Sequence, residues 1–129
     1  MPKAEYSGRA YKVPNGSIYT TAGDLARFII TQYSDSGRLA RNYREMMQTI
    51  QTPGNAKAGY GFGLALNYTG VESKIISHDG SVAGYRAFME FIPISRVGAI
   101  VLRNCDYGVE QIPGAVKNVV AGLAMVEAK

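Results

Sequence analysis

The chain has 129 residues, 47% apolar and 19% charged, which excludes a disordered polypeptide and fits one domain with a usable core. Its formal charge of +4 comes from basic residues scattered along the chain rather than gathered in a stripe, which argues against nucleic-acid binding. No apolar run approaches the ~18 residues that span a bilayer, and one cysteine with one histidine excludes an internal disulfide and a structural zinc site.

Residues 1–19 are rich in Tyr, Gly and Lys and lack periodicity, which predicts an extended lead-in. Met1 to Glu5 is polar with no apolar core behind it, so it does not read as a signal peptide. At Thr21 the pattern changes. Thr21 is placed to cap a helix, and Asp24 three residues on puts a carboxylate at the positive helix end. Leu25, Phe28, Ile29 and Gln32 share one face, which predicts a helix to about Tyr33, broken by Asp35-Ser36-Gly37. Leu39, Tyr43, Met46, Met47 and Ile50 predict a second amphipathic helix, with Arg38, Arg41, Arg44 and Glu45 on its wet side and the Met pair as core filling. Pro53-Gly54-Asn55 ends it.

Tyr60 to Tyr68 alternates bulky with small residues, as a strand does when another backbone comes close. Thr69-Gly70 turns the chain, and Lys74 to Ser77 is a short strand leading into His78-Asp79-Gly80-Ser81. Gly84–Ile92 and Val97–Leu102 are the arms of a hairpin with Pro93-Ile94-Ser95-Arg96 between them. Asp106 to Gln111 reads as a loop. Pro113 suits the first turn of a last helix, whose buried stripe is Ile112, Val116, Val119, Val120 and Leu123. The expected fold class is α+β, in layers: an antiparallel sheet of three to four strands over 60–104, flanked by two helices over 20–52 and one over 112–126.

The last strand is apolar on both faces, Val97, Ala99 and Val101 on one and Ile100 and Leu102 on the other. Such a strand is covered by helices on both sides and sits inside a sheet. Yet no segment of the chain is evident to pair its second edge, and an open apolar edge invites strand exchange. The sheet reads as incomplete, and self-association, most simply a dimer, is expected at that edge.

By itself, Ser77-His78-Asp79-Gly80-Ser81 is weak: neighbours along a strand face opposite ways and form no relay by adjacency. The bland reading, a surface or loop histidine, is favoured on these residues alone. In context the stretch resembles the third active-site motif of the serine β-lactamase-like hydrolases, which include class C β-lactamases, D-alanyl-D-alanine carboxypeptidases and esterases. Their Lys-Thr-Gly or His-x-Gly triplet, following Gly-aromatic, strand-ending proline and closing Leu-x-Asn are similar to His78-Asp79-Gly80-Ser81, Gly84-Tyr85, Phe91-Ile92-Pro93 and Leu102-Arg103-Asn104. Val13 to Phe28 resembles the family's Pro-x-Gly-Gly-Leu-x-Ser-Thr-Ala-x-Asp-Leu-Ala-Arg stretch, and Tyr60-Gly61-Phe62-Gly63-Leu64 its Tyr-Gly-Leu-Gly-Trp strand.

The resemblance implies a β-lactamase/transpeptidase-like fold and an acyl-enzyme hydrolase acting on a small-molecule or peptide substrate, with no cofactor and no metal. It implies that His78 steadies the substrate and activated oxygen network, and that the Ser81 N–H is one oxyanion-hole donor. Gly80 would let the substrate backbone approach, Asp79 would add an unusual negative charge, and Tyr85 and Asn104 would either line the cleft or serve in packing. The His-x-Gly form favours esterase or peptidase relatives. No serine has Lys three positions on, and no tyrosine has Asn or Ser at its second position, so Ser-x-x-Lys and Tyr-x-Asn are both missing. Residues 1–129 therefore read as the C-terminal part of a larger domain, inactive alone and partnered by the missing N-terminal part. The alternative is a non-catalytic binding or assembly module. Family members are often periplasmic or secreted; the sequence does not name the compartment.

Overall fold

A computed structural model describes residues 16, 18–34, 39–52, 57–69, 73–82, 84–105 and 112–127. Among them are α1 (Ala22–Thr31), α2 (Arg41–Met47), β1 (Ala58–Tyr60), β2 (Ala65–Tyr68), β3 (Lys74–Val82), β4 (Tyr85–Ile92), β5 (Val97–Arg103) and α3 (Ile112–Glu127). The fold is α+β. The strands form one antiparallel meander in the order β1-β2-β3-β4-β5. The expectation of three to four strands is corrected to five.

That extra strand comes from the segment 60–68, expected as a single strand. Glycine and bulky residues alternate there with the period of a strand, but Gly61 to Leu64 is a turn, closed by the Gly61 N–H donating to the Leu64 carbonyl at 2.8 Å. Gly63 adopts φ 77°, which glycine takes without strain. Close backbone approach does occur at Gly61, where a Cβ would fall 2.1 Å from the Met47 carbonyl oxygen.

Cross-strand register assigns the two faces of the sheet. Ile76, Met89, Phe91 and Ile100 share one face, where Leu64, Leu66 and Ile29 of α1 complete a core. Phe88, Val97, Ala99 and Val101 share the other, closed by Val116 and Val120 of α3. Both faces of β5 are thus covered, as its sequence requires. Among the described residues β5 pairs only with β4, leaving its other edge without a strand.

The helices follow their signals, with two corrections. Thr21 caps α1: its Oγ1 accepts from the Asp24 N–H at 3.1 Å and donates to Asp24 Oδ2 at 2.8 Å. That hydroxyl, ahead of the nearby Arg27 charge, holds the Asp24 carboxyl below the ordinary carboxylate range. The second helix is shorter than Leu39 to Ile50 and turned on its axis. Arg44, expected wet, is 7% exposed, whereas Tyr43 and Met46 are 56% and 51% exposed. The physical reason lies in the segment leaving α1, whose carbonyls at Gln32 and Ser34 need donors. Arg44 Nη1 donates to the Ser34 carbonyl, and Gln48 Nε2 to the Gln32 carbonyl at 2.8 Å. Met47 alone of the Met pair joins the core. In α3 the buried stripe narrows: Val116 and Val120 are buried, while Val119 and Leu123 are about half exposed. The turn expected at 35–37, the end signal at 53–55, the loop at 106–111 and most of the lead-in lie outside the described residues.

Candidate active site

Residues Ser77 to Ser81 are not a loop but the middle and end of β3, a nine-residue strand. β2 covers one edge of β3 only from Lys74 to Ser77, because β2 begins at Ala65, directly after the Gly61–Leu64 turn. β4 covers the opposite edge from Ile76 to Val82. His78 to Val82 is therefore paired on one side only among the described residues. In an antiparallel strand every second residue turns its N–H and C=O away from a given neighbour. Half of the backbone polar groups of this segment face outward.

Register separates the candidate residues. His78 pairs with Met89 and Gly80 with Ala87, on the face of the α1 core. Asp79 pairs with Phe88 and Ser81 with Arg86, on the α3 face. Ser77, His78 and Asp79 accordingly form no relay. His78, Asp79 and Ser81 are exposed. Gly80 has open space beside it: a Cβ there would meet nothing within 4 Å. Packing among the described residues does not demand a glycine at that position.

One residue enters the site from outside the motif. The Tyr60 hydroxyl lies 2.9 Å from His78 Nδ1, with ring centroids 6.4 Å apart at 55°. In the neutral tautomer with its proton on Nε2 the phenol donates to bare Nδ1, and in the other neutral tautomer Nδ1–H donates to the phenol oxygen. In the imidazolium, Nδ1–H donates to the phenol oxygen as well. In each case Nδ1 is occupied and Nε2 is the nitrogen left for a ligand. Tyr60 is eighteen positions from His78, and nothing in the spacing announces the contact; it follows from the β1-β2-β3 order.

Tyr85 and Asn104 meet elsewhere, in a cleft of about 390 Å³ where Ile18–Thr20 passes the ends of β4 and β5. Arg86, Leu102 and Arg103 line the rest of it. His78, Asp79, Gly80 and Ser81 are not among its walls. Val82 pairs with Tyr85 and Ser81 with Arg86, so the open edge of β3 and the cleft are joined through the β3–β4 hairpin. Gly84 in that turn adopts φ 81°.

The site thus lies in an antiparallel sheet between helical layers, on a His-x-Gly strand open at one edge among the described residues. The Beta-lactamase family model matches residues 1–121, and the chain belongs to that family. Searches of curated proteins and of solved structures return no match. No helix among the described residues is long and apolar enough to cross a membrane.

Proposed function

We propose that this chain supplies part of the active centre of a serine hydrolase that acts through an acyl-enzyme on an ester, amide or β-lactam. The observation that carries the reading is the one-sided pairing of His78 to Val82. An extended substrate has room to lie along that edge, and Gly80 leaves the space beside it open. His78, held at Nδ1 by Tyr60, would offer Nε2 to the substrate or to the hydrogen-bond network around the nucleophile. The Ser81 N–H would be one oxyanion donor, a group worth about 3–4 kcal/mol in the transition state when its partner is present. Asp79 places a negative charge on the other face of the strand, and Tyr85 and Asn104 would border the leaving or acyl group.

The nucleophile and second donor are assigned to a segment carrying Ser-x-x-Lys and Tyr-x-Asn, neither of which this sequence contains. In this reading residues 1–129 are one part of a domain, and that segment also brings the strand that pairs β5. The chain alone self-associates through the same edge, which light scattering at micromolar concentration would register as a dimer. The decisive experiment compares two samples. The chain alone is expected to leave nitrocefin and p-nitrophenyl acetate untouched and to take no label from a serine-directed covalent probe. Fused behind a Ser-x-x-Lys segment from a family member, it is expected to hydrolyse one of them, with loss on His78→Ala. Labelling of the chain alone would overturn the assignment of the nucleophile. A folded fusion that takes no label would favour a binding or assembly module instead.

A further inference from the structure

We propose that the cleft at the ends of β4 and β5 binds a small organic anion, a carboxylate on an apolar or aromatic body. Arg86 and Arg103 stand directly opposite one another on adjacent strands and both line the cleft. Like charges in that relation destabilise a sheet unless something neutralises them. Arg86 Nε is buried and has no hydrogen-bond partner among the described residues. Arg103 donates to Cys105 Sγ at 2.9 Å and forms no ion pair with a carboxylate among the described residues.

Among the described residues the acids on this face do not answer them. Glu90 lies four residues along β4, about 13 Å away at strand rise, and faces Lys117. Asp79 is the diagonal neighbour of Arg86 and forms no ion pair with it. Two guanidinium forks about 5 Å apart at their roots match a planar carboxylate, which accepts paired N–H bonds. Ile18, Tyr85 and Leu102 give the cleft apolar walls, and Asn104 adds an amide. About 390 Å³ is the size of a small-molecule site and too small for a polymer. The site shares Tyr85 and Asn104 with the hydrolase reading but does not rest on it, since binding needs no turnover.

The test is a calorimetric titration of the full chain at low salt with phenylacetate, phenylacetamide and inorganic phosphate. Phenylacetate is expected to bind saturably and at least tenfold more tightly than its neutral amide. Arg86→Gln and Arg103→Gln should each weaken it about tenfold, Arg86→Lys less, and the double variant should abolish it. Without ligand, R86Q should melt at or above the parent temperature, because the like-charge pair is gone. Absence of saturable phenylacetate binding, or binding indifferent to both arginines, overturns the proposal. Phosphate binding as tight as phenylacetate overturns the apolar-body part and leaves a simple anion site. A lower melting temperature for R86Q makes Arg86 a structural group and sinks the site.

Discussion

The two halves of β3 have one backbone and opposite circumstances. At Ile76 and Ser77 the strand is paired on both edges, and Ile76 packs against Phe91 with both side chains fully buried. From His78 to Val82 it is paired on one edge, its side chains stand mostly in the open, and its glycine borders empty space. Structure is concentrated in the first half and the candidate chemistry in the second. The step between them is made by β2, which starts late because Gly61 to Leu64 is a turn.

The comparison is most easily broken in the core beneath the inner half. Phe91→Ala should cost about 3–5 kcal/mol in urea denaturation, since it empties a site 0% exposed. His78→Ala should stay within about 0.5 kcal/mol of the parent. A large loss in H78A would make His78 a structural residue. The two glycines give the next contrast. Gly61→Ala pushes a Cβ onto the Met47 carbonyl and should destabilise by about 2 kcal/mol. Gly80→Ala should leave stability unchanged or slightly raised, while blocking substrate in the active fusion proposed above.

A smaller effect tests the boundary itself. Glu90 pairs with Ser77, the last inner residue, and is 1% exposed beneath α3 with one carboxylate oxygen unpartnered. Burial raises its pKa, and nearby Lys117 only partly offsets this. For an acid whose folded pKa lies above its unfolded value, the folded state holds the proton more tightly. Stability is then greatest below the ordinary carboxylate range and falls as pH rises through the folded pKa. Glu90→Gln should remove that part of the pH dependence and gain about 1 kcal/mol at neutral pH. A parallel pair of melting-temperature curves against pH would contradict it. Thr21→Ala, which uncaps the helix over the inner half, should cost about 1 kcal/mol by the same denaturation assay.

Signals carried by single residues were legible from the sequence. The Thr21 cap, the hairpin turn at Pro93, Pro113 near the start of α3 and the two-sided apolar pattern of β5 all follow from local chemistry. Where the outcome depended on a neighbour, the pattern misled. Gly61 and Gly63 have the period of a strand but the conformation of a turn. Arg44 looked solvated because its acceptor, the Ser34 carbonyl, lies in the segment that follows α1, ten positions away. The site divides in the same way. His78 and Gly80 stood out by motif and strand alternation already set them apart from Asp79 and Ser81, but which core each face meets, the Tyr60 contact and the facing of Arg86 by Arg103 required strand order and register.

Amide hydrogen exchange along β3, measured residue by residue, tests the open edge directly. The amides of Ile76 and Ser77, paired on both edges, should be protected as well as those of β4. From His78 to Val82 protection should alternate, with every second amide exchanging rapidly. Even protection along all nine residues would mean that the edge is closed, and the site proposed on it would have no place to receive a substrate.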